Sequence, residues 1–298
     1  MDRLESMTTL LAAVEAGSFS AASRKLGVPL ATVSRKVSEL EAHLRTKLLI
    51  RTSRRLALTE SGRSYVAACK RIIQDIEEAE RAAAGEYTAP RGDLHIVAPI
   101  VFGRMHVLPA VTEFLKVYPD IDIRLVLGDR IVNLVDEHAD LAVRIGDLPD
   151  SSLVTTRVGF VRWVVCGSPD YFAARGAPQN PKELSVHDCV TFEGLMSPKV
   201  WIFRTAKGET AAPIHSRLIV NTAEAAIDAA MAGVGITRVL SYQIANALEA
   251  GSLVTALEPF ESSPAPVNLV YSGQGLTPLK LRAFLDFAAP WLRARLQI

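Results

Sequence analysis

Between Pro29 and Leu44 the chain reads PLATVSRKVSELEAHL, and this stretch restricts the possible folds more than any other. Val33, Val37, Leu40 and Leu44 recur at intervals of three and four, the period of one helix face. The remaining positions are not the Glu/Lys mixture of an ordinary solvated helix. Ala31, Thr32, Ser34, Arg35, Lys36 and Ser38 are small or basic. Such a helix buries one side and offers the other for close approach to something negatively charged.

The flanking residues supply the rest of a module. Leu4, Met7, Leu11 and Val14 predict the apolar stripe of a first helix, ended by Gly17. Ser18 or Ser20 caps a short second helix, SAASRKL, in which Ala21 and Ala22 are small enough for close packing. Gly27 supplies a turn, and Pro29 stands at a helix start, where its missing N–H costs nothing. Two short helices joined by a glycine turn describe a helix-turn-helix. Leu48 and Leu49 then close the core, RTSRRLALT predicts two short strands around a basic turn (a wing), and Thr59 caps the next helix. The expected partner is double-stranded DNA, with the outer face of the third helix in the major groove. Arg35 and Lys36 reach phosphates or guanine edges, Ala31 and Thr32 meet thymine methyls, and Ser20, Ser34 and Ser38 belong to the same surface. Arg51, Arg54 and Arg55 on the wing suit phosphates or a narrow minor groove.

Charge agrees with this. From Ser20 to Tyr65 ten Lys or Arg stand against three acids, a charge of +7 in a chain whose total is +1. A basic module is therefore attached to a mildly acidic body. With 298 residues, 49% of them hydrophobic, two or three packed domains are expected. No apolar run is long enough to span a bilayer, and MDRLESMTTLLAAVEAGSFSAAS lacks the core and cleavage site of a signal peptide. Cys69, Cys166 and Cys189 are few and far apart. Three buried, inert thiols in a reducing cytoplasm are expected, and a redox pair of Cys166 and Cys189 is the alternative.

From Thr59 a long helix is predicted to about Gly85. Its seam is Gly62, Val66, Cys69, Ile72, Ile73, Ile76, Ala79 and Ala83, with charged outer positions. A helix this long with so narrow a seam needs a partner helix, and a second copy of the chain is the expected supplier. Two half-sites would also multiply DNA contacts.

FSAASRKLGVPLATVSRKVSELEAHLRTKLLIRTSRRLALTESG resembles the DNA-binding signature of LysR-type transcriptional regulators. Ala22, Leu26, Val33, Ser34, Leu40, Glu41, Leu48, Arg51, Leu58, Thr59 and Gly62 sit where that family has them, and length and domain order agree along the whole chain. Pro29-Leu30 departs from the polar pair that many members carry, such as Ser-Gln, so apolar base contacts are expected at that helix start. The resemblance implies a winged helix-turn-helix (1–58), a linker and dimerisation helix (59–88) and an effector-binding domain (89–298) similar to periplasmic solute-binding proteins. It also implies dimers that pair into tetramers.

The C-terminal part supports an α/β fold independently. Strand-length apolar runs (LHIVAP, DIRLVLGD, DLAVRIGD) alternate with helical patterns (MHVLPAVTEFLKVYP, IVNLVDEHA), the signal of a parallel sheet. After LVTTRVG a second series begins, with VRWVVCGS, PDYFAARG, DCVTF, a hairpin through VWIFRTAKGETAAPIHSRLIV, TAEAAIDAAMAG and VGITRVL. PVNLVYS and the last helix return to the first sheet. A two-lobed, Rossmann-like body follows, with lobe I at about 92–160 and 267–298 and lobe II at about 161–266.

No enzymatic constellation is present in the sequence. The six histidines lack metal spacing, no GxSxG elbow occurs, and GVGITR follows a helix rather than a strand. No metal or cofactor is expected. Ligands of open α/β sheets bind beyond the carboxyl ends of the strands. Those ends are Pro99, Ile100, Val101 and Phe102; Arg144 and Gly146; Phe192; and Asn221 and Thr222. Asn221 and Glu224 read as a capping pair at a helix start, and Arg144 as a fixed cation whose alternative role is a pair with Asp140 or Asp147. Members of the family often carry Ser or Thr where Pro99 or Ile100 stands, which implies a more apolar pocket here. The expected effector is a small, partly apolar carboxylate. A solute-binding protein, an α/β enzyme and a ligand-independent nucleoid protein are the competing functions.

Overall fold

The computed structural model describes residues 2–51, 56–83, 89–129, 139–148, 153–193, 199–206, 208–273 and 277–296. They form two compact units, Met1–Ala89 and Pro90–Ile298. Among the described residues no helix is long and apolar enough to cross a membrane.

The first unit is α1 (Arg3–Glu15), α2 (Phe19–Leu26), α3 (Leu30–Leu44), a hairpin of β1 (Leu49–Arg51) and β2 (Leu56–Leu58), and α4 (Glu60–Ala83). Each boundary has a local cause. The Ser18 hydroxyl accepts from Ala21 N–H at 3.1 Å, capping α2, and Gly27 ends it in the left-handed region at φ 67. Thr59 caps α4, accepting from Gly62 N–H at 2.9 Å. The core holds Leu10, Val37, Leu40, Leu48, Leu49 and Val66. The face of α1 differs from expectation. Ser6, Thr9, Leu10 and Ala13 are buried, Leu11 and Val14 only flank the core, and Leu4 is 44% exposed. The helix is apolar on two faces, and the side with smaller residues packs more closely.

The second unit carries two mixed five-stranded sheets. The first contains β3 (Gly92–Ala98), β4 (Ile121–Leu127), β5 (Leu141–Ile145), β6 (Leu153–Val161) and β14 (Ala265–Ser272), in the order β4-β3-β5-β14-β6. β3 is parallel to β4 and β5, whereas β14 returns antiparallel between β5 and β6. Between β3 and β4 lie α5 (Ile100–Phe102), a π-turn (Gly103–Val107) and α6 (Leu108–Val117). Phe102, Phe114, Leu141, Val267, Phe284 and Leu292 pack together between this sheet and its helices. IVNLVDEHA falls outside the described residues, apart from Ala139.

The second sheet contains β7 (Trp163–Gly167), β8 (Asp188–Phe192), β11 (His215–Val220), β12 (Ile236–Leu240) and β13 (Val254–Ala256), in the order β11-β8-β12-β7-β13. β8, β11 and β12 are parallel, and β7 is antiparallel to β12 and β13. Both sheets are therefore mixed, with parallel strands beside antiparallel ones, because side-chain periodicity carries no information on strand direction. Both faces are covered: Val165 enters a core with Trp201 and Phe203, while Val164 and Cys166 enter one with Ile227 and Val239. Strand residues alternate between faces, so a run such as VVC is what a doubly covered strand requires. β9 (Val200–Thr205) and β10 (Gly208–Pro213) form the expected hairpin. The helices of this part are α7 (Pro169–Arg175), α8 (Ala223–Met231) and α9 (Ala245–Glu249); α10 (Leu279–Arg295) closes the chain.

Candidate nucleic-acid interface and interlobe cleft

On α3 the residues Val33, Val37, Leu40 and Glu41 are buried. At about 100° per residue, Ala31, Arg35 and Ser38 then point away from the core, Thr32 lies beside them, and Ser34 flanks the buried face. Ala31 and Arg35 are exposed, and Thr32, Ser34 and Ser38 are half-buried. The Arg35 guanidinium donates to the Glu39 carboxylate at 2.8 Å, one turn on. An exposed pair of this kind is worth only about 0.3–0.5 kcal/mol, so a phosphate or a base edge can replace it at little cost. Lys36 does not join this face. Its side chain is 14% exposed and its ammonium pairs with Glu5 of α1. Ser20 is exposed in the first turn of α2. Arg51 lies in β1; Arg54 and Arg55 lie outside the described residues.

Glu41 holds this surface against the wing. Its carboxylate accepts from Leu48 N–H at 2.9 Å, Leu49 N–H at 3.1 Å and the Lys47 ammonium at 3.0 Å. Burial opposes its charge, but the Lys47 bond and the two N–H groups outweigh burial and hold the carboxyl below its ordinary value. An acid in the signature was visible in the sequence; its buried role joining α3 to the wing was not.

In the second unit the expected cleft residues divide. Val101, Phe102 and Phe192 are at most 3% exposed and belong to cores, so they do not line an open site. Val101 and Phe192 pack with Val190, Ala223 and Ala226, which joins α5 to β8 and α8. Phe102 packs against His106, tilted, and against Tyr242, edge to face, with ring centroids 4.7 and 5.5 Å away. Burial foremost, with Arg295 assisting, lowers the His106 value, which favours a neutral ring. Pro99, Ile100, Arg144, Gly146 and Thr222 are half-buried and Asn221 is exposed. Arg144 lies opposite Asn268 across β5 and β14. Asp140, considered as its partner, accepts from His95 N–H at 2.7 Å. The cap of α8 is Thr222, which accepts from Ala225 N–H at 3.3 Å, rather than Asn221.

Two acids stand at the helix starts: Asp129, which the sequence did not mark, and Glu224, read there as part of a capping pair. Asp129 accepts from Ile100 N–H at 3.0 Å. Burial raises its value, the Ile100 bond opposes the rise, and the charge of Glu224 adds to it. Glu224, in the first turn of α8, stands 3.9 Å from Arg104, and its Oε2 is buried without a hydrogen bond among the described residues. At the crossing between the sheets, Arg162 pairs with Glu261 at 3.1 Å, tying the β6–β7 connection to the β13–β14 connection. Arg238 lies beside them between the rings of Trp163 and Phe203 and donates to Ser262 at 3.2 Å. Asp188 gathers Arg175 at 3.3 Å and Arg217 at 3.1 Å. The three cysteines are free and buried, and burial pushes Cys166 and Cys189 up to about 12. Among the described residues no group of three or more His, Cys, Asp or Glu is placed to hold a metal ion.

Residues 88–293 match the family model of the LysR substrate binding domain, and residues 4–63 match that of the bacterial regulatory helix-turn-helix protein, lysR family. An HTH-type transcriptional repressor of Pseudomonas aeruginosa is 34% identical over 289 residues, 96% of this chain and 91% of that protein. The HTH-type transcriptional regulator CrgA of Neisseria meningitidis serogroup C is 34% identical over 287 residues, 95% of each chain. The solved structure of CrgA from Neisseria meningitidis aligns with a TM-score of 0.61 at 32% identity, covering 97% of this chain and 98% of that one. The full-length Vibrio cholerae virulence activator AphB aligns with a TM-score of 0.61 at 28% identity, covering 97% and 99%.

Proposed function

The chain belongs to the LysR family of transcriptional regulators, and on that premise we propose that it reads operator DNA through α3 and responds to a small molecule bound between its two sheets. The observation that carries the first half is the outward face of α3, where the exposed Ala31 and Arg35 stand opposite the buried Val33, Val37 and Leu40. Small side chains admit the groove edge, and the guanidinium reads guanine or phosphate. Thr32, Ser34, Ser38 and Ser20 complete the contact, with Arg51, Arg54 and Arg55 on the wing. Lys36, turned toward Glu5, supports α3 from behind.

Residues 1–58 form the reader, 59–88 the dimerising linker and 89–298 the effector domain, with lobes at about 92–160 with 267–298 and at about 161–266. Dimers pair into tetramers and act in the cytoplasm, where the chromosome is. The effector is a small, partly apolar carboxylate bounded by Pro99, Ile100, Gly146 and Thr222. Its acid faces Arg144, whose five donors are not exhausted by one partner. Asp129 and Glu224, already at the two helix starts, repel an acid there. Footprinting on DNA flanking the gene, with and without metabolite carboxylates, tests this. A protected site that changes with one compound is expected. Equal protection of any sequence, unmoved by every compound, would indicate a ligand-independent DNA coat.

A further inference from the structure

Away from the cleft, the first sheet and α10 border an open surface cavity of about 350 Å³. Thr156, Tyr271, Thr277, Arg282, Asp286 and Arg293 supply its polar lining, and Leu285 and Ala289 an apolar wall. The three charged residues follow from helix geometry: positions 282, 286 and 293 fall on one stripe of α10. An Arg and an Asp one turn apart ordinarily pair. Here neither the Arg282 nor the Asp286 side chain has a hydrogen-bond or ion-pair partner among the described residues, although both line the same cavity. Arg293 is held in place, donating through Nε and Nη2 to the Arg157 carbonyl at 3.4 and 3.2 Å.

One cavity therefore offers two cations, one anion, three hydroxyls and an apolar wall. We propose that it is a second ligand site, specific for a zwitterion of the α-amino acid class. The ligand carboxylate meets Arg282, with Arg293 and the hydroxyls near it. The ammonium meets the Asp286 carboxylate, and the side chain lies on Leu285 and Ala289. A plain carboxylate would be repelled by Asp286, and a plain amine by the arginines. The site is independent of the cleft and of Arg144.

The test is a thermal-shift screen of the full-length protein against each of the twenty standard L-α-amino acids at millimolar concentration, followed by calorimetry on the best binder. At least one should raise the unfolding midpoint. Its affinity should fall roughly tenfold or more in Arg282→Ala and in Asp286→Asn, as loss of a charge-assisted bond requires, and persist in Arg144→Ala. Both substituted side chains are exposed, so ligand-free midpoints near wild type are expected and serve as the folding control. The deaminated analogue of the binder should bind wild type more weakly than the amino acid. Three results would overturn the proposal: no amino acid shifts the wild type; binding survives Arg282→Ala but not Arg144→Ala; or the deaminated acid binds as well as its parent.

Discussion

At the scale of single residues, Glu41 decides whether the reader and its wing form one body. Glu41→Ala leaves the Leu48 and Leu49 N–H groups buried without an acceptor. At about 1–3 kcal/mol for each unsatisfied group, the substitution should destabilise the N-terminal unit by ~2–4 kcal/mol in urea unfolding. The pH dependence has a definite sign. The folded value is depressed, so the contribution is complete above the unfolded value of about 4.3 and is lost as pH falls through the folded one. Acid should weaken the wild-type unit in that window, and the Ala variant should lack this component. The sequence displayed which residue types face outward on α3, because apolar period and side-chain size fix the buried face. It did not display where long side chains turn. Lys36 bends to Glu5 and Arg35 to Glu39, outcomes set by neighbours on α1 and one turn along.

At the scale of elements, the start of α4 is fixed by close approach to the wing. A Cβ on Gly62 would stand 2.0 Å from the Leu48 carbonyl oxygen, a backbone atom with little room to yield. Gly62→Ala should therefore cost about 1–3 kcal/mol despite its better helix propensity, measurable as a lowered unfolding midpoint. Further along, Val66 and Cys69 are buried, Ile73 and Ile76 are half-buried, and Ile72 is 42% exposed. The proposed dimer covers this later part. Ile73→Asp would place a charge in that seam, and sedimentation of the full-length protein should show dissociation toward monomer. A variant that sediments as wild type would remove α4 from the interface. Caps were legible because Ser18 and Thr59 have short side chains that accept N–H bonds. The face of α1 was not, since Leu4, Met7, Leu11 and Val14 compete with Leu10 and Ala13, and tertiary packing chooses between them. The π-turn at Gly103–Val107 left no periodic trace.

At the scale of the whole molecule, much of the alternation of strands and helices that the structure describes was readable, short elements such as β13 and α9 were not, and neither was strand direction. Period two reports which face a residue occupies, and strand direction depends on connections such as the return of β14 between β5 and β6. The same limit explains the cleft. Strand ends were located correctly, but Val101, Phe102 and Phe192 are apolar and enter cores. Asp129 and Glu224, residues of an ordinary surface type, occupy the helix starts instead. The central claim is that the outward face of α3 reads DNA. Its most direct measurement is the affinity of full-length wild type and Arg35→Ala for gene-flanking DNA and for a random duplex, each across a salt series. If Arg35 reads a base, specific binding should weaken by ~1–3 kcal/mol with random binding nearly unchanged. If it touches phosphate alone, both duplexes should bind more weakly and the salt slope should fall by about one. Unchanged affinity for both duplexes at every salt concentration would contradict the claim.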